Sequence, residues 1–280
     1  MKLVFIYCVL GYRVYRIIII ILIVSAWLPP DTVTTYSCIL ITKNIQKNFQ
    51  KTVDRYGKQV YNKTIESKHT KRNEVIIMRI KGFSFSEGNS KMHRVGSFSV
   101  LPVTTCAKNA PCAKDGCYAC KMVRIYPSVR KAYTDNTVAL MQDKRYNEFV
   151  KACDLFIDMN EYCLFRFNVS GDFFNTDYLL ACCEIAKHNP ETKFLAFTKQ
   201  FEVANSVIAM GEVPSNFNIV FSGWNDFLPE NANSVPMAYM DDGKHADLVP
   251  DYAIKCDGNC QKCKKCFNLK NGEAVKFAKH

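Results

Sequence analysis

The sequence predicts an α/β protein built on a parallel sheet, in the form of a partial (β/α) barrel. From residue 95 onward, segments rich in β-forming residues alternate with segments of helical periodicity, which is typical of consecutive βαβ units. The strand segments are almost continuously apolar, as expected for strands covered on both faces. Polar loops follow these strands, at the position where parallel sheets bind their ligands.

The predicted elements follow one another in a regular order. Asn175 or Thr176 can cap one helix at its start, and Asn189-Pro190 ends that helix. Because the carboxyl ends of parallel strands share one edge, we expect the loops that begin at Thr104, Ser170, Thr198 and Ser222 to lie together. The expected elements are strand 95–103, helix 128–159, strand 163–169, helix 177–188, strand 193–198, helix 201–210, and strands 218–222 and 235–240.

Composition and charge exclude two classes of protein. With 280 residues, of which 48% are hydrophobic and 22% charged, the chain is not intrinsically disordered and can form a core without disulfides. The net charge of +11 is concentrated at the start, since residues 1–77 hold 12 basic and 4 acidic residues and residues 78–280 hold 25 and 22. This balance does not support nucleic-acid binding by the remainder of the chain.

The first 77 residues differ from the rest of the chain. Residues 1–28 are apolar, but their longest uncharged run, residues 17–28, is too short to span a bilayer unaided. Three interpretations stay open: a membrane tether interrupted by charges, a signal peptide cleaved after Ala26, or translated upstream sequence ahead of a start at Met78. We expect a chain that begins at Met78 to fold and to keep its metal.

Cysteine is the unusual feature of the composition, with 14 residues in the chain. Eight of them form two groups, whereas Cys153, Cys182 and Cys183 fall in predicted helices, where a buried apolar thiol is expected. A disulfide scaffold is typical of short secreted chains, not of one with a full-sized core. We therefore predict that the two groups bind metal, as iron–sulfur clusters or, alternatively, as zinc sites.

The two groups have different spacings. In the first, Cys106, Cys112, Cys117 and Cys120 lie in a loop after the first strand, and three thiolates there would leave one iron of a [4Fe–4S] cluster free for substrate. In the second, Cys256, Cys260, Cys263 and Cys266 include a C-x2-C-x2-C spacing typical of ferredoxin loops. Structural zinc is the main alternative for the second group. The chain is thus divided into residues 1–77, an α/β core at 78–250 and a C-terminal metal-binding extension at 251–280.

The predicted rim also carries candidate polar site residues. Ser170, Gly171 and Asp172 form a turn that could bind a cofactor, and Asp172 and Lys199 are candidate catalytic residues. Ordinary structural explanations exist for both, because an acidic residue stabilises the start of a helix and a lysine is commonly solvated. No serine–histidine or cysteine–histidine pair and no glycine-rich phosphate loop is recognisable.

Several spaced motifs between about residues 84 and 268 resemble the phage and prophage "gene product 88" family. The resemblance implies kinship and not a reaction. Two departures are an asparagine at position 168, where family members often have histidine, and Cys120, an addition to the usual three cysteines of that loop. The motifs are Asn89-Ser90-Lys91, Thr105-Cys106, Pro111-Cys112, Cys117-Tyr118-Ala119, Phe165-Arg166-Phe167, residues 169–174, residues 194–199 and the terminal cysteine run.

A more distant similarity relates the chain to radical S-adenosylmethionine enzymes. Those enzymes place a cysteine loop after the first strand, a Gly-Gly-Glu turn after the second and a polar residue after the third. Here Cys117-Tyr118, Ser170-Gly171-Asp172 and Thr198-Lys199 follow the same order, although the first loop lacks the C-x3-C-x2-C spacing. The resemblance implies S-adenosylmethionine as a cofactor, with Asp172 holding its amino group.

These observations predict an iron–sulfur protein that acts on an unidentified small-molecule or macromolecular substrate. The alternative is a non-catalytic, zinc-stabilised interaction module. Reduced thiols and iron–sulfur clusters require a reducing compartment, so we expect the core in the cytoplasm, either free or tethered to a membrane through residues 1–28.

Overall fold

A computed structural model describes residues 77–88, 92, 94–114 and 116–278 of the chain, so the expectations for residues 1–76 lie outside the described residues. The described strands form one open, mostly parallel sheet of nine strands, ordered β1-β2-β3-β4-β5-β6-β7-β9-β8. They are β1 (Ile77–Ile80), β2 (Phe83–Ser86), β3 (Gly96–Phe98), β4 (Leu164–Phe167), β5 (Lys193–Thr198), β6 (Phe217–Ser222), β7 (Met237–Asp241), β8 (Ile254–Lys255) and β9 (Ala274–Ala278).

The helices connect successive parallel strands. From β3 to β7 every strand pairs in parallel with the one before it, which is the order expected for consecutive βα units. The sheet does not close, because β1 and β8 are its edges. The helices are α1 (Tyr118–Ile125), α2 (Pro127–Thr137), α3 (Tyr146–Asn160), α4 (Thr176–His188), α5 (Phe201–Ala209) and α6 (Cys260–Cys263).

An antiparallel hairpin precedes the parallel part of the sheet and was not predicted from the sequence. Lys81 (φ 50°) and Gly82 (φ 89°) connect β1 to β2, and two positive φ angles in a two-residue turn match the right-handed twist of a hairpin. Strand β2 then pairs antiparallel with β3. Met78 and Ile80 of β1 are buried in the core, so the hairpin is part of the fold.

Two predicted elements are shorter than expected. The long helix predicted at residues 128–159 is interrupted after a π-helical turn at Val138–Gln142, and Lys144 has a positive φ of 52°. The first strand ends at Phe98, because the backbone of the next residues bonds elsewhere. Val100 N donates to Ser170 O (3.1 Å), and Leu101 N donates to Thr137 Oγ1 (2.8 Å). These bonds join the loop after β3 to the loop after β4 and to helix α2.

Each face of the sheet has its own apolar core. On the helix face, phenylalanines of β4, β5 and β6 pack against α3, α4 and α5; Phe167 and Phe194 stack with their ring centroids 5.5 Å apart. On the opposite face, which we call the second face, Leu164, Leu195 and Val220 pack together. The chain segment that covers the second face comes from the C-terminus, through Phe267 and Leu269 and the neighbouring residues.

The C-terminal residues belong to the sheet. Strand β9 lies between β7 and β8 and pairs with β7 along five residues, from Met237 with Ala274 to Asp241 with Ala278. The described residues belong to a single compact unit. The part of the chain predicted as a C-terminal extension supplies strands β8 and β9 to the sheet and the side chains of Phe267 and Leu269 to the core. Among the described residues, no helix has the length and apolar character needed to cross a membrane.

Candidate metal centres

The first cysteine group lies at the carboxyl rim of the sheet, as predicted. Its loop follows β3, forms a short 3-10 turn at Pro111–Ala113 and enters α1, for which Cys117 is the residue immediately before the first turn. Cys120 lies within α1, three residues further on. All four cysteines of the group are free and half-buried.

The thiols of this group lie close enough to influence one another. Cys112 and Cys117 act electrostatically on both Cys106 and Cys120. The Cys106 sulfur also accepts a hydrogen bond from Val103 N at 3.4 Å. The loop thus brings the four predicted ligands of the first group into one region.

Burial raises the pKa of the Cys106, Cys112 and Cys120 thiols, which favours their protonated form at neutral pH. Burial, with the negative charge of Asp172 as a smaller cause, raises the pKa of Cys106 to about 11. Burial likewise raises the pKa of Cys112, and the positive charge of Lys199 acts against this rise. A bound metal cation would have to displace these protons, so metal binding here would release protons.

The Ser170-Gly171-Asp172 turn is held by the chain itself. Ser170 Oγ donates to Val100 O at 3.1 Å, and Asp172 N donates to Thr105 Oγ1 at 3.0 Å. Gly171 has φ +75°, and a Cβ there would lie 2.5 Å from Val100 Cγ2, so only glycine fits. The polar groups of the turn therefore attach it to the loop that leads to Cys106. Cofactor binding by this turn stays a prediction.

Asp172 connects the loops that follow β4 and β5. Its carboxylate is buried and accepts hydrogen bonds from Thr198 Oγ1 (2.6 Å), Lys199 N (2.7 Å) and Phe173 N (2.8 Å). Burial raises its pKa, and these three hydrogen bonds oppose the rise. The contacts give Asp172 a structural role at the rim. A catalytic role for it stays a prediction.

Lys199 extends along the same rim. Its Nζ donates to Ser222 Oγ at 2.7 Å and lies 5.5 Å from the centroid of the Trp224 ring. The ammonium group also acts electrostatically on Cys112 and Asp172. Lys199 therefore places a positive charge beside the first cysteine group.

The second cysteine group follows β8 and has its own local turn. Gly258 N donates to Cys256 Sγ at 3.4 Å, and Gly258 has φ +77°. Asn259 then caps α6, the single turn from Cys260 to Cys263, by accepting a hydrogen bond from Lys262 N at 3.1 Å. These bonds arrange Cys256, Cys260 and Cys263 around one short turn, as their spacing predicts.

The second group begins directly after the carboxyl end of β8, which runs parallel to β9, and the segment then crosses the second face of the sheet. Cys260 and Cys266 pack against the apolar cluster of that face. Asn218 of β6 donates through Nδ2 to Cys266 O at 2.6 Å, which fixes this part of the segment above the sheet. Apolar burial of Phe267 decides the position, because Phe267 has no other core to join.

The structure adds one residue that sequence reasoning did not select, Arg166 of β4. It lies on the second face, where the charges of Cys260, Cys266 and Cys256 act on it, together with that of Tyr118 beside Cys117. The signal in the sequence was an arginine in the middle of an apolar strand, between Phe165 and Phe167. Arg166 therefore lies near the second cysteine group and near Tyr118, which follows Cys117.

A family model described as "Gene product 88" matches residues 59–274, which is more than half of the chain. The chain belongs to the gene product 88 family. The match begins before residue 84, where the resemblance in the sequence began, and therefore includes residues 59–77. It covers the rim loops and all eight clustered cysteines of this family member.

No curated protein and no solved structure matches the chain. The predicted similarity to radical S-adenosylmethionine enzymes has no support in these comparisons. The family membership itself assigns no reaction, so the argument about function depends on the side chains of the site.

The donor chemistry of both groups fits a thiolate-binding metal, but the geometry is not that of a finished site. Within the part of the chain that the structure describes, no group of three or more His, Cys, Asp or Glu side chains is arranged so that it could hold a metal ion. All twelve cysteines in that part are free, which leaves both sets of four thiols available. Of the four other thiols, those of Cys153, Cys182 and Cys183 are buried in the helix-face core, as predicted, and Cys163 is exposed.

Proposed function

We propose that this member of the gene product 88 family is an iron–sulfur protein. In this proposal Cys106, Cys112 and Cys117 hold a [4Fe–4S] cluster, and Cys256, Cys260, Cys263 and Cys266 form a second thiolate centre. One observation carries the proposal: a loop at the carboxyl rim gathers four free thiols beside Asp172 and Lys199. Thiolates are the ligands that iron–sulfur clusters require.

The surroundings of the first loop favour a reactive centre over a purely structural one. Three cysteine ligands leave one iron without a protein ligand, and an iron–sulfur cluster supplies electron transfer or Lewis-acid chemistry at that position. Lys199 places a positive charge at the rim, where it would attract an anionic substrate. Asp172 would fix the loops after β4 and β5 around the bound substrate.

The strand order supports a partial (β/α) barrel as the framework of this site. Strands β3 to β7 lie in the sheet in the same order as in the chain. The cysteine loop after β3 and the Ser170-Gly171-Asp172 turn after β4 lie at the same rim. In such a framework the cluster would occupy the open end of the barrel. The second cysteine segment would then fill its interior, which agrees with its packing on the second face.

S-adenosylmethionine is a weaker part of the proposal. The carboxylate of Asp172, which was expected to hold the amino group of this cofactor, already accepts three hydrogen bonds from the chain. A carboxylate offers about four acceptor positions, so little capacity remains for a ligand. Calorimetric titration of the iron-loaded protein with S-adenosylmethionine tests this cofactor separately from the cluster.

Anaerobic purification with metal and sulfide analysis tests the proposal. We expect iron and acid-labile sulfide in the wild-type protein, and loss of part of both in a C106S/C112S/C117S variant that still folds. A C153S variant is the control, because Cys153 is buried in the core away from both groups. Zinc in place of iron, with no labile sulfide, would refute the proposal and favour a zinc-stabilised interaction module.

The proposal includes a reducing environment for the protein. Free, half-buried thiols in two groups of four would form incorrect disulfides in an oxidising compartment. We therefore propose that the folded part of the chain resides in the cytoplasm, whether or not residues 1–28 attach it to a membrane. Fractionation of cells that express the full chain, with thiol labelling of each fraction, tests this location.

A further inference from the structure

Arg166 is a half-buried cation in the middle of strand β4. Its Nη1 group donates to the sulfur of Met92 at 3.8 Å, and its Cζ lies 4.8 Å from the centroid of the Phe197 ring. Its Nε atom is buried and has no hydrogen-bond partner among the described residues. Among the same residues, no carboxylate lies within ion-pair distance of the guanidinium.

This arrangement is energetically unusual. A guanidinium that leaves water loses several kcal/mol of hydration, and a well-placed anion normally compensates for this loss. The neighbours of Arg166 on the sheet cannot do so, because Leu164, Leu195 and Val220 are apolar. A cation–π contact with Phe197 recovers only a part of the cost, since such contacts contribute about 1–2 kcal/mol.

The side chains that can supply negative charge are the thiols of the second cysteine group. Burial lowers the pKa of Arg166, and the charges of Cys260, Cys266, Tyr118 and Cys256 act in the opposite direction. Three of these four residues belong to the second group. The geometry agrees, because Phe197, whose ring lies against the Arg166 guanidinium, packs on the same second-face cluster as Cys260 and Cys266. Asn218 Nδ2 donates to Cys266 O and so attaches this segment to the sheet.

We infer that Arg166 is the counterion of the second cysteine group, which binds its metal through four thiolates and carries a net negative charge. A divalent ion with four thiolates has a charge of −2, and one buried guanidinium offsets half of it. Arg166 acts as a positioning residue through the ligands and does not touch the metal. This inference rests on the proposed second thiolate centre and extends it by a residue of β4.

A competition titration with Zn2+ alone tests the inference. The full chain is used with C112S and C117S substitutions, so that the second group is the only set of four thiols, and zinc affinity is measured against a chromophoric chelator. We expect Arg166→Met to weaken zinc binding about 10- to 100-fold, the usual effect of losing a group that supports metal ligands. We expect Arg166→Lys, which keeps the charge, to restore most of the affinity.

Arg145→Met is the matched control. Arg145 also lies over a buried phenylalanine, with its Cζ 5.2 Å from the centroid of Phe83, but it is on the hairpin side of the molecule and contacts Lys81 O. Loss of this arginine should leave zinc affinity unchanged. If Arg166→Met does not fold by circular dichroism, Arg166→Gln, which keeps the polar end of the side chain without its charge, takes its place.

The outcomes separate the inference from the proposed function. If a C260S/C263S variant binds zinc as tightly as its parent, the second group is not a metal centre and the proposed second thiolate centre is wrong. If that variant loses zinc but the neutral Arg166 variant binds like its parent, the metal centre stands and the role of Arg166 is refuted. Equal losses in the lysine and neutral variants would also refute it, because charge would then not be the cause.

Discussion

The two cysteine groups have the same ligand chemistry and are positioned in different ways. The first group spans residues 106–120 and is attached to the rim by polar contacts, among them the bond from Asp172 N to Thr105 Oγ1. The second spans residues 256–266 and is held by apolar packing across the second face, with Phe267 and Leu269 in its core. A basic side chain acts on each group, Lys199 at the rim and Arg166 on the face.

Under the proposed function, this difference would give the two groups different purposes. A loop held by polar contacts at an open rim can change its sulfur positions when a cluster and a substrate bind. A segment whose apolar residues complete the core cannot move without exposing them, so its thiols suit a permanent centre. The cations differ in the same sense, because Lys199 lies among polar groups and Arg166 lies among apolar ones.

The largest effect on folding is expected from deletion of the segment that carries the second cysteine group, compared with substitution of the cysteines of the first group. A chain that ends at Lys255 lacks β9 as well as Phe267 and Leu269, and it should not fold. The loss of the buried apolar side chains alone costs about 3 kcal/mol for each residue, and a central strand is lost with them. The full chain with all four first-group cysteines changed to serine should stay folded. Circular dichroism melts check both, and a cooperative melt of the truncated chain would contradict the comparison.

The polar attachment of the first group predicts the next largest effect. Asp172→Ala removes the acceptor of three buried hydrogen bonds and should lower the free energy of unfolding by about 4 kcal/mol, since each abandoned donor costs about 1–3 kcal/mol. Asp172→Asn keeps one oxygen and should cost about half as much. Urea denaturation measures both variants. Equal stability of Asp172→Ala and wild type would show that the carboxylate does not hold the rim together.

A glycine substitution tests the same attachment through the backbone. Gly171→Ala should cost about 3 kcal/mol, because it combines a left-handed backbone with a Cβ placed 2.5 Å from Val100 Cγ2. Gly116→Ala is the matched control, since Gly116 also has a positive φ but a Cβ there meets nothing within 4 Å. Its cost should be about 1 kcal/mol. Similar losses for the two variants in urea denaturation would argue against a tight contact at Gly171.

The smallest expected effect concerns the cation of the first group. The charge of Lys199 lowers the pKa of Cys112 against the larger effect of burial, so Lys199→Met should leave less Cys112 as thiolate at neutral pH. In reduced, metal-free protein, alkylation of Cys112 should become several-fold slower, because the thiolate is the reactive form. Mass spectrometry of the labelled peptide measures the rate, and Lys131→Met, a surface change on α2, is the control. An unchanged alkylation rate would show that the charge of Lys199 does not act on the Cys112 thiol.

Much of the rim was predictable because it is encoded locally. Helix α4 begins where its Asn175 cap indicates, with Tyr178 N donating to Asn175 Oδ1 at 2.9 Å. Strands β4 to β7 lie within one or two residues of the predicted bounds, since long apolar runs between turn residues specify buried strands. Once the strands are parallel, Cys106, Asp172 and Lys199 must share an edge, and they do.

The rest was not predictable because it depends on pairings between distant parts of the chain. Strands β8 and β9 and the hairpin are two to five residues long, too short to show a periodicity. The break at Lys144 was hidden within a segment of continuous helical pattern. Arg166 was read as one polar residue in a strand, since nothing near it in sequence shows what lies above it.

The sequence by itself determined the two cysteine groups, the parallel strands and the common rim, because spacing, capping and apolar runs act over a few neighbouring residues. Tertiary structure alone decided that the second cysteine group covers the second face, that Arg166 lies beneath it and that the Asp172 carboxylate is saturated by the chain. Each of these three features depends on which apolar surfaces of distant chain segments pack against one another. Burial is non-directional and is settled only when the whole sheet has formed.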